Sequence, residues 1–401
     1  MNIGAKPGLA NALLAAFLAA VALLLFTVRL GVPASFVYDE PCYVSSARAF
    51  LTGTPDTNSE HPPAGKLLIA LGIKTFGDSP FGWRIPGAAA GAVMVGGMFY
   101  TALLLTESTS LAMLAGIFAL LNHFTYVMAR VAMLEVFILM FVVWGTAAWL
   151  AAVRGIYPRA MLALAGILLG LSAAVKWSSA GVLGVVLVAT LVAWARKGNL
   201  AQTAYAVACV SIVPLVAYYL SFWPLCRSQH VRLTVMEVVR RSDHILQFHR
   251  AATGNAALNS WWYQWIFRTQ PERALSYLVG NWAVCWLGVA ALLFCIFRFI
   301  TKPELPEGVV VALFAGSWLQ WAVIARPFEY YYYYSMAATF LCLAIPTALR
   351  KTPDYRMLGV RVSLIAVAAA VVVFVMFYPK MAGLGAPWDC AIKCIAAQTF
   401  I

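Results

Sequence analysis

The sequence predicts an all-α integral membrane protein, and three observations predict it. Hydrophobic residues make up 63% of the chain, and mean hydropathy is +0.83. Charged residues make up only 11%, against about 25% in soluble domains. Apolar stretches of about 20 residues recur along most of the length, which is what a helix needs to cross hydrocarbon. A soluble fold cannot bury so much apolar surface. In lipid each backbone polar group must be satisfied within its own segment, which favours helices. The alternating ten-residue pattern of a membrane barrel is not evident.

About eleven spans are expected, near 9–30, 85–105, 110–128, 131–153, 160–175, 178–195, 202–223, 278–299, 308–325, 331–349 and 358–378. The first follows Lys6 and is longer than a signal-peptide core, so it reads as an uncleaved span. Arg154 with Arg159, Arg196 with Lys197, Arg298 with Lys302, and Arg350, Lys351, Arg356 with Arg361 fall on one side, which the positive-inside rule makes cytoplasmic. The N-terminus is then inside a cytoplasmic (inner) membrane. Two long loops, 31–84 and 224–277, lie outside and carry short helices. No repeat or linker divides residues 1–401, which read as one membrane domain.

The net charge of +13 would suggest nucleic acid in a soluble protein. Here much of it flanks spans, where it sets topology or meets lipid phosphates, so no nucleic-acid partner is expected. The eight cysteines show no zinc spacing. Cys390 and Cys394 read equally as a disulfide or as two free thiols.

Polar residues converge at one outer level: Asp39 and Glu40 after the first span, Glu60 and His61 in the first loop, Arg84, Arg130, Lys176 and Arg326 at span ends, His244 and His249 in the second loop. Such charges are functional suspects by default. Carboxylates beside cations suit sugar transfer from a lipid phosphate, because a carboxylate takes the acceptor's proton and cations hold the departing phosphate. Other readings stay open. Asp39-Glu40 reads also as a solvated acidic turn, and Arg130, Lys176 and Arg326 as interfacial anchors. Glu135 is five residues past Arg130, a spacing that does not pair them, so it reads as a buried acid paired elsewhere. Trp261, Trp262 and Trp265 read as an interfacial belt or as a stacking platform, and Tyr330 to Tyr334 as interfacial.

The same residues form an ordered series. Asp39-Glu40, then Glu60-His61-Pro62-Pro63-Ala64-Gly65-Lys66, Phe81-Gly82-Trp83-Arg84-Ile85-Pro86, the Arg130 to Glu135 stretch and Val175-Lys176-Trp177-Ser178 occupy the first half. His244, Phe248-His249, Ser260-Trp261-Trp262, Gly280-Asn281, Trp286-Leu287-Gly288, and Arg326 with its tyrosine run follow. Over about residues 36 to 350 the chain resembles the protein O-mannosyltransferase family of the GT-C class. Glu135 stands where that family usually has aspartate, and tyrosines stand where a histidine is expected after Arg326. The second loop has no room for the inserted β-trefoil of eukaryotic members, which fits a bacterial type.

The resemblance implies the GT-C fold and an inverting transfer of a sugar, mannose first, from a polyprenyl phosphate to a Ser or Thr hydroxyl of a protein. It implies Asp39 and Glu40 as catalytic residues, with Asp39 the base. Glu60 and His61 are expected on the acceptor side, and Arg130, Lys176, Arg326 and His249 on the carrier phosphate. Trp261 and Trp262 are expected to stack on sugar or lipid. No metal or other cofactor is required, although the acids leave a divalent ion open. Members can work as dimers, so a homodimer is among the expected states. A related enzyme acting on lipid or glycan, such as a lipid A aminoarabinose transferase, is the nearest rival. A transporter would need midplane charges and matching broken repeats, which the sequence does not display. A purely structural subunit leaves the ordered motifs unexplained.

Overall fold

We describe a computed structural model of the chain. The structure describes residues 8–196, 198–251, 260–269, 278–324, 328–351, 356–357 and 360–383. Arg326, Cys390 and Cys394 lie outside the described residues.

The chain is almost wholly helical. The first half runs α1 (Leu9–Thr27), α2 (Glu40–Thr52), α3 (Ala64–Phe76), α4 (Pro80–Thr106), α5 (Thr109–Leu121), α6 (His123–Met128), α7 (Glu135–Val153) and α8 (Pro158–Val175). Then follow α9 (Ala180–Ala195), α10 (Leu200–Ser221), α11 (Trp223–Ser228), α12 (Val235–Ala251), α13 (Trp282–Thr301), α14 (Leu305–Val323), α15 (Ser335–Leu349) and α16 (Val362–Met381). Short 3-10 turns at Trp177–Ser179, Trp262–Phe267 and Tyr331–Tyr334 interrupt the bundle at one end. A two-residue ribbon pairs Arg356 with Arg361.

Among the described residues, 9 helices are long and apolar enough to cross a membrane. Helices fall at all eleven expected positions, and two of them miss those criteria. The segment expected at 110–128 is split, because Asn122 ends α5 and its side chain accepts from Phe124 N to start α6. Helix α14 has 19 residues but carries Glu307 and Gln320. Helices α4, α7 and α15 form the buried centre, whereas α1, α9, α13 and α16 turn much of their apolar surface outward, as lipid-facing helices do. Helix α4 packs on α1, α5 and α7, and α8 packs on α7 and α10. Gly166 and Gly170 set the α8–α10 approach, since a Cβ at either would strike the α10 backbone at Cys209 or Pro214. Small residues four apart are the usual device for close packing in lipid.

The first loop is folded. Pro41 opens α2, and Gly53 closes it in the left-handed region at φ 72°. Ser79 caps α4 by accepting from Gly82 N, with Pro80 at the first helical position. The second loop supplies the amphipathic α12 and the Trp262–Phe267 turn.

Candidate active site

Asp39 stands at the N-terminus of α2, one residue after Tyr38, whose φ of 54° is unusual for a residue with a side chain. That turn swings the two adjacent acids in different directions. Glu40 goes inward and is fully buried. Its oxygens accept from Arg84 Nε at 2.7 Å and Nη2 at 2.8 Å, from Val37 N at 2.8 Å and from Ala132 N at 2.9 Å. Arg84 gives its remaining donors to the carbonyls of Leu30, Pro33 and Ser35. The expectation of Glu40 as a second catalytic acid thus meets a carboxylate whose four contacts are all internal. It joins the exit of α1 to α4 and to the segment before α7.

Asp39 is half-buried, and its Oδ2 accepts from Tyr43 and Tyr332, each at 3.5 Å. Burial is the largest influence on it and raises its carboxyl to about 6; Lys176 opposes that rise, while Glu135 and Glu60 add to it. An acid held near neutrality is suited to accept a proton and release it again. Glu60 is also raised, chiefly by burial.

The expected phosphate ligands part company. Arg130 donates to the carbonyls of Phe26 at 2.8 Å, Val28 at 2.5 Å and Arg29 at 3.3 Å, and its guanidinium lies over Tyr126. It therefore caps the C-terminus of α1, where a cation is favoured by the orphan carbonyls. Lys176 lies where α8 breaks into extended backbone, and its Nζ donates to Glu135 Oε1 at 2.6 Å. Glu135, which opens α7, is thus paired across the bundle rather than with Arg130. His249 of α12 faces His61 with ring centroids 5.3 Å apart, and His61 faces Tyr43 at 6.0 Å. The two long loops therefore meet beside Asp39.

Trp261 is exposed and Trp262 half-buried, its ring 4.9 Å from Trp318. Trp262 N donates to Glu329 Oε2 at 2.6 Å. The interfacial placement expected for the tyrosine run is overturned: Tyr331 to Tyr334 are buried. Tyr333 stacks on Trp321 at 4.5 Å, and Tyr332 reaches Asp39. Lys66, quoted in a motif but given no role, is fully buried with Nζ on Asp56 Oδ2 at 2.7 Å and Asn58 O at 2.5 Å. Tyr332 and Tyr43 were missed as site residues. The four-residue spacing of Tyr43 from Asp39 on α2 was a usable signal, and nothing local marks Tyr332. Among the described residues no group of three or more His, Cys, Asp or Glu is placed to hold a metal. A groove of about 420 Å³ opens between α10 and α12, lined by Trp177, Leu215, Tyr218, Val235, Val239 and Leu246 among others.

Known proteins supply the context for this geometry. Residues 60–221 match the family described as dolichyl-phosphate-mannose-protein mannosyltransferase. The polyprenol-phosphate-mannose–protein mannosyltransferase of Mycobacterium tuberculosis is 25% identical over 437 residues, covering 87% of this chain and 83% of its own. That of Corynebacterium glutamicum is 24% identical, covering 88% and 85%. In fold, the chain resembles the S. cerevisiae protein O-mannosyltransferase Pmt1-Pmt2 complex bound to the sugar donor, at TM-score 0.81, 13% identity and coverage of 95% and 91%. It also resembles ArnT from Cupriavidus metallidurans bound to undecaprenyl phosphate, at TM-score 0.60, 17% identity and coverage of 92% and 70%. The fold is that of the GT-C membrane glycosyltransferases, and in motif order and in these relatives the chain is similar to the protein O-mannosyltransferases.

Proposed function

We propose that the protein transfers a sugar, mannose first, from a polyprenyl phosphate to a Ser or Thr hydroxyl of a protein. Asp39 is the observation that carries the reading: a half-buried carboxyl near neutrality, at the edge of the bundle, between two hydroxyl donors. The acceptor oxygen attacks the anomeric carbon and its proton passes to Asp39. The bond from that carbon to the phosphate oxygen breaks, and its electron pair leaves with the carrier phosphate. A single displacement of this kind inverts the anomeric centre and needs one base, unlike the paired carboxylates of hydrolases.

Glu60 and His61 flank the acceptor approach, and His249 serves the carrier phosphate. Arg84, Arg130 and Glu40 are assigned to holding the frame. Trp261, partly open, is the stacking surface, with Trp262 supporting it. The groove between α10 and α12 suits the polyprenyl chain, since it is mainly apolar, continues the outward face of α10 and ends at Trp177 beside Lys176. The site faces outward from a cytoplasmic membrane, with the N-terminus inside. The homodimer is not carried forward, because the yeast relative in fold is a complex of two different chains.

The test is transfer of label from polyprenyl phosphate mannose to a Ser/Thr-rich peptide by the purified protein. Label appearing in extracted lipid and not in peptide would overturn the protein acceptor.

A further inference from the structure

Lys176 was expected at the carrier phosphate, and its surroundings suggest another task. The lysine is nearly fully buried. One side of its ammonium meets Glu135 Oε1 at 2.6 Å. The other faces the ring of Tyr332 at 5.2 Å and that of Tyr333 at 4.8 Å. Two chain breaks bring these groups together: α8 stops at Val175, leaving Lys176 extended, and α7 begins at Glu135. Tyr332 in turn is clamped between Tyr330, stacked at 5.7 Å, and Tyr38, edge-on at 5.2 Å. Its hydroxyl points at Asp39 Oδ2.

A cation over a phenol draws on the ring's electrons. The hydroxyl then donates more strongly to an anionic acceptor, and the low dielectric of the site amplifies the effect. We propose that Glu135, Lys176 and Tyr332 form a positioning relay in which Glu135 holds Lys176, and Lys176 and Tyr332 aim Asp39 and favour its charged form, so that Lys176 acts on the base rather than on the carrier phosphate. This rests on the reading of Asp39 as the base. Among the described residues Glu135 Oε2 has no hydrogen-bond partner, so the acid meets Lys176 through one oxygen, and the aromatic rings cover the other side of the ammonium. Among the described residues, Lys176, Glu135, Glu60, Tyr332, Tyr43 and Cys42 act on or contact Asp39, and Lys176 is the cation of that set. Removing it takes that positive charge away from the base.

The relay is tested with the pH dependence of kcat/KM for transfer by the purified full-length protein, comparing wild type with Lys176→Met, Tyr332→Phe and Glu135→Gln. A nearby cation moves a carboxylate by about one to three pH units. The acidic limb is expected to move up by about one unit in Lys176→Met and by less in Tyr332→Phe. It should move down in Glu135→Gln, while the KM for the donor stays within about twofold. A merely structural role would lower the rate without moving the limb in opposite directions. A Lys176→Met enzyme with an unmoved limb and a donor KM raised about tenfold or more overturns the relay and makes Lys176 a phosphate ligand. Should the charge variants not fold, Tyr332→Phe removes a single oxygen, and infrared titration of the Asp39 carboxyl needs no turnover. A titration identical to wild type in that variant also overturns the relay. Turnover retained by Asp39→Asn, or a wild type with no acidic limb, instead defeats the reading of Asp39 as base.

Discussion

Replacing Asp39 by Asn should remove activity and add stability at once. The side chain keeps its shape and can still meet the Tyr43 and Tyr332 hydroxyls, but it can no longer accept the proton. Loss of a general base costs about 10²–10⁴ in rate. Stability follows from the direction of the titration. Asp39 is raised from 3.8 to about 6 on folding, with burial the main cause. Above pH 6 the group is charged in both states, and the folded state bears the desolvation cost. As pH falls through 6 the folded protein takes up a proton before the unfolded chain does. The cost shrinks, and it is gone below the ordinary value of 3.8. That distance corresponds to on the order of 3 kcal/mol. Solvent still reaches the half-buried side chain, so about 1–2 kcal/mol is the expected gain for Asn at pH 7. The assay pairs mannosyl transfer with thermal unfolding in detergent at pH 5, 6, 7 and 8. Asn should unfold at higher temperature than wild type at pH 7 and 8, and the difference should shrink to about half by pH 5. An Asp39→Asn protein that unfolds earlier than wild type at pH 8, or that transfers normally, would refute the reasoning. A functional acid that destabilises its own fold is the trade expected of catalytic groups.

Other variants probe the frame around it. Glu40→Ala should destabilise by about 3–5 kcal/mol, because it leaves the buried Arg84 charge without its anion; Glu40→Met with Arg84→Met should recover part of that loss, measured by thermal unfolding. An Ala variant as stable as wild type but inactive would return Glu40 to the chemistry. Lys66→Met should loosen the first loop by stranding Asp56, seen as faster proteolysis near residues 53–63 with the spans intact. Cys42 is the exposed cysteine among the described residues, and its thiol is raised by burial first and by Asp39 next. A membrane-impermeant maleimide should label it from outside intact cells, faster as pH rises because more thiolate forms, and block transfer. Labelling that needs permeabilised cells would invert the proposed orientation; Cys42→Ser is the control.

The spans were legible because hydropathy over about 20 residues survives any error in detail. The split at Asn122 was not, since it depends on one side chain turning back to Phe124 N. Asp39 could be found from its motif, but its neighbours could not. Tyr332 is 293 residues away, and Lys176 and Glu135 are separated by 41. Arg130 looked like a phosphate ligand because a sequence displays a charge and not its partners, here the carbonyls ending α1. The tyrosine run looked interfacial for a similar reason. Aromatic content alone does not distinguish a belt from a buried ladder, and it is stacking on Trp321 that places this run inside.

The two arginines at the end of α1 also bear on how the protein is made. Leu30, Pro33 and Ser35 wait for an arginine 49 to 54 residues downstream, and Phe26, Val28 and Arg29 for one 101 to 104 residues downstream. The first span leaves the ribosome long before either arrives. Asp39 follows that exit, so the segment that carries it has its full set of partners only once α4 and the turn before α7 are packed against α1.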